Sequence, residues 1–145
     1  MFPLMKTLLV IDGQGGGFGR ALIERLRAES LPVRLHAVGT NSLATSAMLK
    51  AGADAGATGE NPVVVNARTA DIIAGPMGIL TANALLGEIT PAMAAAVSES
   101  PAKKLLIPVN RCSVTVVGVN QLPLGEYVRL AVQAAGDLLR QENDT

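Results

Sequence analysis

The sequence predicts an α/β protein: a Rossmann-like three-layer sandwich with a mostly parallel sheet, formed as a single domain over residues 1–145. Three observations predict it. Apolar runs of strand length alternate with stretches of helical periodicity, the pattern of βαβ units. One such run ends at Asp12 and enters a loop with five glycines among residues 13–19, after which helical spacing begins at once. Polar segments follow four predicted strands, at residues 12–19, 39–42, 75–78 and 110–112. Right-handed crossovers place all those strand ends on one edge of a parallel sheet, where ligands of such folds bind.

Taken in order, residues 7–11 form the first strand. Phe18, Leu22, Ile23 and Leu26 then recur at helical spacing opposite Glu24, Arg25 and Arg27, predicting a helix over 19–30 that Leu31-Pro32 ends. Residues 33–38 alternate as a second strand and include His36, read as an interior residue. Thr40 or Asn41 caps the next helix, which carries Leu43, Ala44, Ala47, Met48 and Leu49 to a stop at Gly52. A short third strand follows over 53–57. Asn61 and Pro62 suit a cap and first turn, so residues 62–68 read as helix despite Val63-Val64-Val65, which taken alone favours a strand. The fourth strand lies in 70–76. Residues 77–88 read as loop with a short helix, and Thr90-Pro91 starts a helix reaching Glu99. Residues 104–109 form a strand and 114–119 one more. The closing helix spans 124–141, with Val128, Val132, Ala135 and Leu139 facing in and Glu126, Arg129, Gln133, Asp137 and Arg140 facing out. Residues 1–4 read as a dispensable leader before a second start at Met5, and residues 142–145 as a frayed end.

The glycine loop has the chemistry of an anion cradle. Glycine lets backbone approach a ligand closely, and a helix start offers unpaired N–H groups at the positive end of a dipole. The dinucleotide spacing G-x-G-x-x-G fails, because Gly13 and Gly15 would put the third glycine at Phe18. The spacing G-x-x-x-G-x-G fits Gly13, Gly17 and Gly19. A P-loop is excluded by Arg20-Ala21, where Lys-Ser or Lys-Thr would be needed. The candidate binding residues are therefore Asp12, Gly13, Gly15, Gly16, Gly17 and Gly19 of the loop, Thr40, Asn41 and Ser42 after the second strand, Gly75 on the fourth, and Asn110 and Arg111 after the fifth. Asp12 is expected to cap loop N–H groups; a role in holding Mg²⁺ beside a phosphate stays open. The acidic residue that usually closes the second strand of NAD-binding folds is missing, since Val38-Gly39-Thr40 stands there. A nucleotide such as NAD(P) is a possible cofactor, then, but without the usual ribose-binding acid. For catalysis the candidates are Glu88 as acid or base, Arg111 as anion clamp and Cys112 as nucleophile.

Composition narrows the partners. Apolar residues make up 49% and aromatics 2%, so the core is built from Ala, Val, Leu, Ile and Met. Twelve basic and twelve acidic residues cancel, leaving no basic face for nucleic acid, and so few aromatics provide no base-stacking platform. One cysteine allows no internal disulfide and suits the cytoplasm; one histidine and one cysteine cannot make a conventional zinc site. The longest uncharged stretch, residues 72–87, falls just short of spanning a membrane and is broken by Gly75, Pro76, Gly78 and Asn83. A high apolar content with positive mean hydropathy predicts a homo-oligomer, with residues 77–93 as the contact patch.

Several stretches together resemble a family of small uncharacterised bacterial proteins, a domain of unknown function. They are Ile11-Asp12-Gly13-Gln14-Gly15-Gly16-Gly17, Gly39-Thr40-Asn41-Ser42, Ala44 to Ala53, Gly56-Ala57-Thr58-Gly59-Glu60-Asn61, Leu86-Gly87-Glu88-Ile89-Thr90-Pro91 and Ile107-Pro108-Val109-Asn110-Arg111-Cys112. The resemblance covers nearly the whole chain and implies a Rossmann-like fold, but no activity. A second resemblance, of the first thirty or so residues to the short-chain dehydrogenases, rests on the Gly13, Gly17, Gly19 spacing. Their Tyr-x-x-x-Lys is absent, because Tyr127 precedes Val128-Arg129-Leu130-Ala131. Three functional classes follow: a protein that binds a nucleotide or phosphorylated small metabolite at the glycine loop, a small enzyme acting on that ligand, and a non-catalytic oligomeric structural or regulatory subunit. The first is the expectation.

Overall fold

The computed structural model describes residues 5–109 and 113–143. Five strands, β1 (Lys6–Asp12), β2 (Val33–Gly39), β3 (Ala55–Thr58), β4 (Ile72–Pro76) and β5 (Lys103–Ile107), form one sheet in the order β3-β2-β1-β4-β5, with every pair parallel. The helices are α1 (Gly17–Ala28), α2 (Ser42–Ala51), α3 (Glu60–Ala67), α4 (Pro91–Glu99) and α5 (Leu124–Asn143), with a 3₁₀ turn at Met77–Leu80. Leu8 and Val10 of β1 point into a core shared with α1, α2 and α5; Leu9 and Ile11 point into a second core shared with α3 and α4. A strand alternates its side chains between faces, so an unbroken apolar run such as Leu8–Ile11 is what a central strand covered on both faces requires. The result is the three-layer α/β arrangement expected from the sequence.

Most element boundaries shift by a residue or two for local reasons. The first helix begins at Gly17 rather than 19, because Gly16 takes the left-handed φ of 72° at its N-cap, and it ends at Ala28 before Ser30 at φ 52°. Residues 60–67 are helical, with Val63 buried and Val65 exposed as that spacing demands; the N-cap is Gly59 at φ 105°, not Asn61. Asn41 and Thr90 cap their helices, accepting from the Ala44 and Met93 N–H groups. All four inward residues of α5, Val128, Val132, Ala135 and Leu139, are buried.

Two expectations are overturned. Residues 114–119 form no strand: Gly118 at φ 88° turns the backbone, the Val119 N–H bonds the Val116 carbonyl, and Val117 is 93% exposed. A run of valines looks like a strand locally, but a left-handed glycine cannot continue an extended ladder. The segment instead walls a groove of about 600 Å³ between β5 and α5, with Val116, Val119, Leu122 and Leu130 among its lining. Nor do residues 77–93 form an apolar surface patch. Ile79, Ala84, Leu85, Ile89 and Met93 are spent in the second core, leaving Leu86 outside. Other exposed apolar side chains include Leu43, Leu49 and Val65 and, toward the C-terminal end, Val114, Val117, Val119, Leu124 and Leu130. Among the described residues no helix is long and apolar enough to cross a membrane.

Candidate functional site

Strand order reverses between β1 and β4, and the loops leaving those two strands diverge there. Such a reversal is where open parallel sheets bind ligands. Residues 13–16 follow β1 at that point.

The loop's five glycines divide by purpose. A Cβ on Gly13 would stand 2.6 Å from Thr40 Oγ1 and 2.7 Å from a Leu85 methyl carbon. On Gly19 it would meet Met48 Sδ at 2.5 Å, and on Gly16 the Ala44 Cα at 2.9 Å. These three let the loop pack against α2 and the 83–88 segment. The Gly16 N–H bonds the Gly13 carbonyl at 2.9 Å and closes the turn. Gly15 and Gly17 differ: both are exposed, a Cβ on either would meet nothing within 4 Å, and neither N–H has a partner among the described residues.

Asp12 ends β1 and is 4% exposed. Its Oδ1 accepts from the Gly13 N–H at 2.8 Å and its Oδ2 from the Gly19 N–H at 2.7 Å. The side chain thus fixes both ends of the loop and satisfies a donor in the first turn of α1, the capping role expected of it. Burial pushes its carboxyl above the ordinary range; the Glu88 charge adds to this, against the pull of the Gly19, Gly13 and Phe18 N–H groups.

Glu88 is the residue whose placement the sequence did not reveal. It descends from a loop in which Asn83, Leu85, Leu86 and Gly87 all have positive φ, and it reaches the end of β2. Its Oε1 accepts from Thr40 Oγ1 at 2.5 Å, from Asn41 Nδ2 at 2.7 Å and from the Gln14 N–H at 3.1 Å. The Asn41 amide also donates to the Gln14 carbonyl at 2.9 Å. Burial would raise the Glu88 carboxyl, but the donors Thr40, Asn41 and Gln14 outweigh it and leave it below the ordinary range. Held in this way, the Glu88 carboxylate is the acceptor for Thr40, Asn41 and Gln14.

The remaining candidates fall as follows. Ser42 is exposed in the first turn of α2. Gly75 lies within β4, where a Cβ would stand 2.5 Å from the Ile11 carbonyl oxygen, so strand packing accounts for its glycine. His36 is half-buried within β2, three residues before its end. Asn110, Arg111 and Cys112 lie outside the described residues. Sequence reasoning passed over Gln14, and also Thr45, whose buried hydroxyl lies within hydrogen-bonding distance of the Gly39 N–H, the Asn41 and Ala57 carbonyls and Thr58 Oγ1. A side chain on Gly39 would collide with Thr45, which explains why no acid closes β2. Among the described residues no three His, Cys, Asp or Glu side chains group to hold a metal ion.

No curated protein matches the chain. Among solved structures, a dodecameric FMN-dependent UbiX-like decarboxylase from Escherichia coli O157:H7 is similar over 89% of this chain and 76% of its own, at 19% identity and a TM-score of 0.43. The family model of the domain of unknown function DUF3842 matches residues 7–140, nearly the whole sandwich and the entire glycine loop, and the chain belongs to that family.

Proposed function

We propose that the protein binds a nucleotide or a phosphorylated small metabolite at the glycine loop, in the cytoplasm. The observation that carries this reading is the pair Gly15 and Gly17: two exposed glycines whose N–H groups have no partner among the described residues, at the start of α1 and the reversal of strand order. A phosphate belongs on that side of the loop, away from the Asp12 and Glu88 carboxylates. The wild-type melting temperature should rise in phosphate, sulfate, or a nucleotide or sugar phosphate of the right shape. A ligand at a hundred times its Kd stabilises by about 2.7 kcal/mol, or roughly 5–10 °C for a domain of this size. No rise with any compound of a broad phosphorylated panel would sink the proposal.

We also propose a homo-oligomer. The exposed Val114, Val117, Val119, Leu124 and Leu130 favour it, since a surface of this kind is costly to leave in water. Light scattering should give more than the monomer mass at high protein concentration; a monomer throughout contradicts it.

A further inference from the structure

We propose that Glu88 is the ribose-recognising acid of the site, supplied from outside β2, so that the ligand is a ribonucleotide with free 2′- and 3′-hydroxyls. This rests on the reading of the glycine loop as a phosphate site and names the ligand class for it.

Dinucleotide-binding folds place an acid at the end of β2, within reach of a ribose whose phosphate sits on the glycine loop. In this chain the end of β2 has no room for one: the position is Gly39, with Thr45 packed against it. The carboxylate arrives instead from residue 88. It is anchored on the two residues that follow β2, Thr40 and Asn41, and on the Gln14 N–H of the glycine loop itself. One acid thus joins the place of the phosphate to the place of the ribose.

The carboxylate is built to accept more. Oε1 already takes three donors, whereas Oε2 has only the Gln14 N–H, at 3.3 Å. An ionised carboxylate accepts at about four lone-pair sites and donates nothing. Its complement is a pair of hydroxyls, which donate, and not a phosphate, which repels. The negative charge of Glu88 would itself repel a 2′-phosphate, and among the described residues its hydrogen-bond donors are the uncharged Thr40, Asn41 and Gln14 groups.

The backbone holds this group in position. Asn83, Leu85 and Leu86 all stand at φ between 56° and 67°, a region that costs non-glycine residues energy. Hydrogen bonds from the Asn83 N–H to the Ile89 carbonyl and from the Ile89 N–H to the Ala84 carbonyl fasten the loop, and buried Ala84, Leu85 and Ile89 root it in the core. A strained segment kept in one shape, with its single carboxylate laid against the glycine loop, is a preorganised acceptor.

The test is calorimetric titration of the full chain with the four ribonucleoside diphosphates, their 2′-deoxy counterparts and adenosine 2′,5′-bisphosphate. At least one ribonucleoside diphosphate should bind at least about tenfold more tightly than its 2′-deoxy form, and adenosine 2′,5′-bisphosphate should be disfavoured. In Glu88→Gln, with its folding checked by melting temperature, the discrimination against the 2′-phosphate should collapse. The wild-type comparison stands even if the variant folds poorly. Equal binding of ribo and deoxy forms overturns the assignment alone. So does binding of other phosphorylated metabolites with no nucleoside diphosphate bound. If nothing phosphorylated binds, this assignment and the phosphate site fall together.

Discussion

Asp12→Ala is expected to destabilise the protein by about 3 kcal/mol at neutral pH. The carboxylate is the acceptor for two N–H groups, those of Gly13 and Gly19, and the environment is almost free of water. Each buried donor left without an acceptor costs about 1–3 kcal/mol. Such a loss would lower the melting temperature by roughly 10 °C in a domain of this size. Asp12→Asn keeps one carbonyl acceptor but turns its NH₂ toward the other donor, so it should fall between the two. Asp12 also has a pH signature. Its carboxyl is raised in the folded state above 3.8, so over the window just above that value the native protein holds a proton that the unfolded chain releases. Its contribution to stability therefore falls as pH rises through that window. Glu88 acts in the opposite sense: lowered from 4.5, it favours the fold above that value and loses its contribution as pH falls below it. Urea titrations of wild type and Asp12→Ala across the acid range separate the two. An Asp12→Ala protein as stable as wild type would mean that the loop N–H groups find other acceptors.

Gly17→Val should abolish ligand response while leaving the fold intact. A side chain at Gly17 meets no heavy atom within 4 Å of its Cβ, and the residue is exposed in the first turn of α1 outside the left-handed region. Valine is no worse than glycine in a helix, so stability should stay within about 0.5 kcal/mol of wild type. The branched side chain would nevertheless stand in the space that a phosphate needs to reach the Gly15 and Gly17 N–H groups. Affinity should drop at least tenfold, read as loss of the thermal shift. Gly16 is no substitute for this test, because its φ of 72° and the Ala44 backbone 2.9 Å from a Cβ would make Gly16→Ala a stability variant. A Gly17→Val protein that folds normally and keeps the full response would place the ligand elsewhere.

The first half of the sandwich was legible because its signals are local. The apolar run into Asp12, the five glycines and the amphipathic helix after them specify a strand, a turn and a helix without help from the rest of the chain. The capping of α2 by Asn41 and of α4 by Thr90-Pro91 is equally local. Residues 114–119 misled because four valines among six residues carry strand propensity, and only Gly118 hinted at the turn. Glu88 was visible as a candidate carboxylate but not as a neighbour of Gln14, 74 residues away, since no spacing in one sequence reports a contact at that separation. Even so, the missing acid at the end of β2 was a usable signal: a site without its expected carboxylate invites a search for one arriving from another loop. The division of the glycines was out of reach as well, because Gly13, Gly16 and Gly19 are explained by Thr40, Ala44 and Met48, which only the folded chain brings beside them.

The central claim is that the Gly15 and Gly17 amides receive a phosphate, and the most direct measurement is a ¹⁵N-amide NMR titration with the phosphorylated panel. The account predicts that for a binding compound these two resonances, with those of Gln14 and Thr40 beside them, shift saturably and together. Saturable shifts confined to other parts of the chain, with Gly15 and Gly17 unmoved, would contradict it.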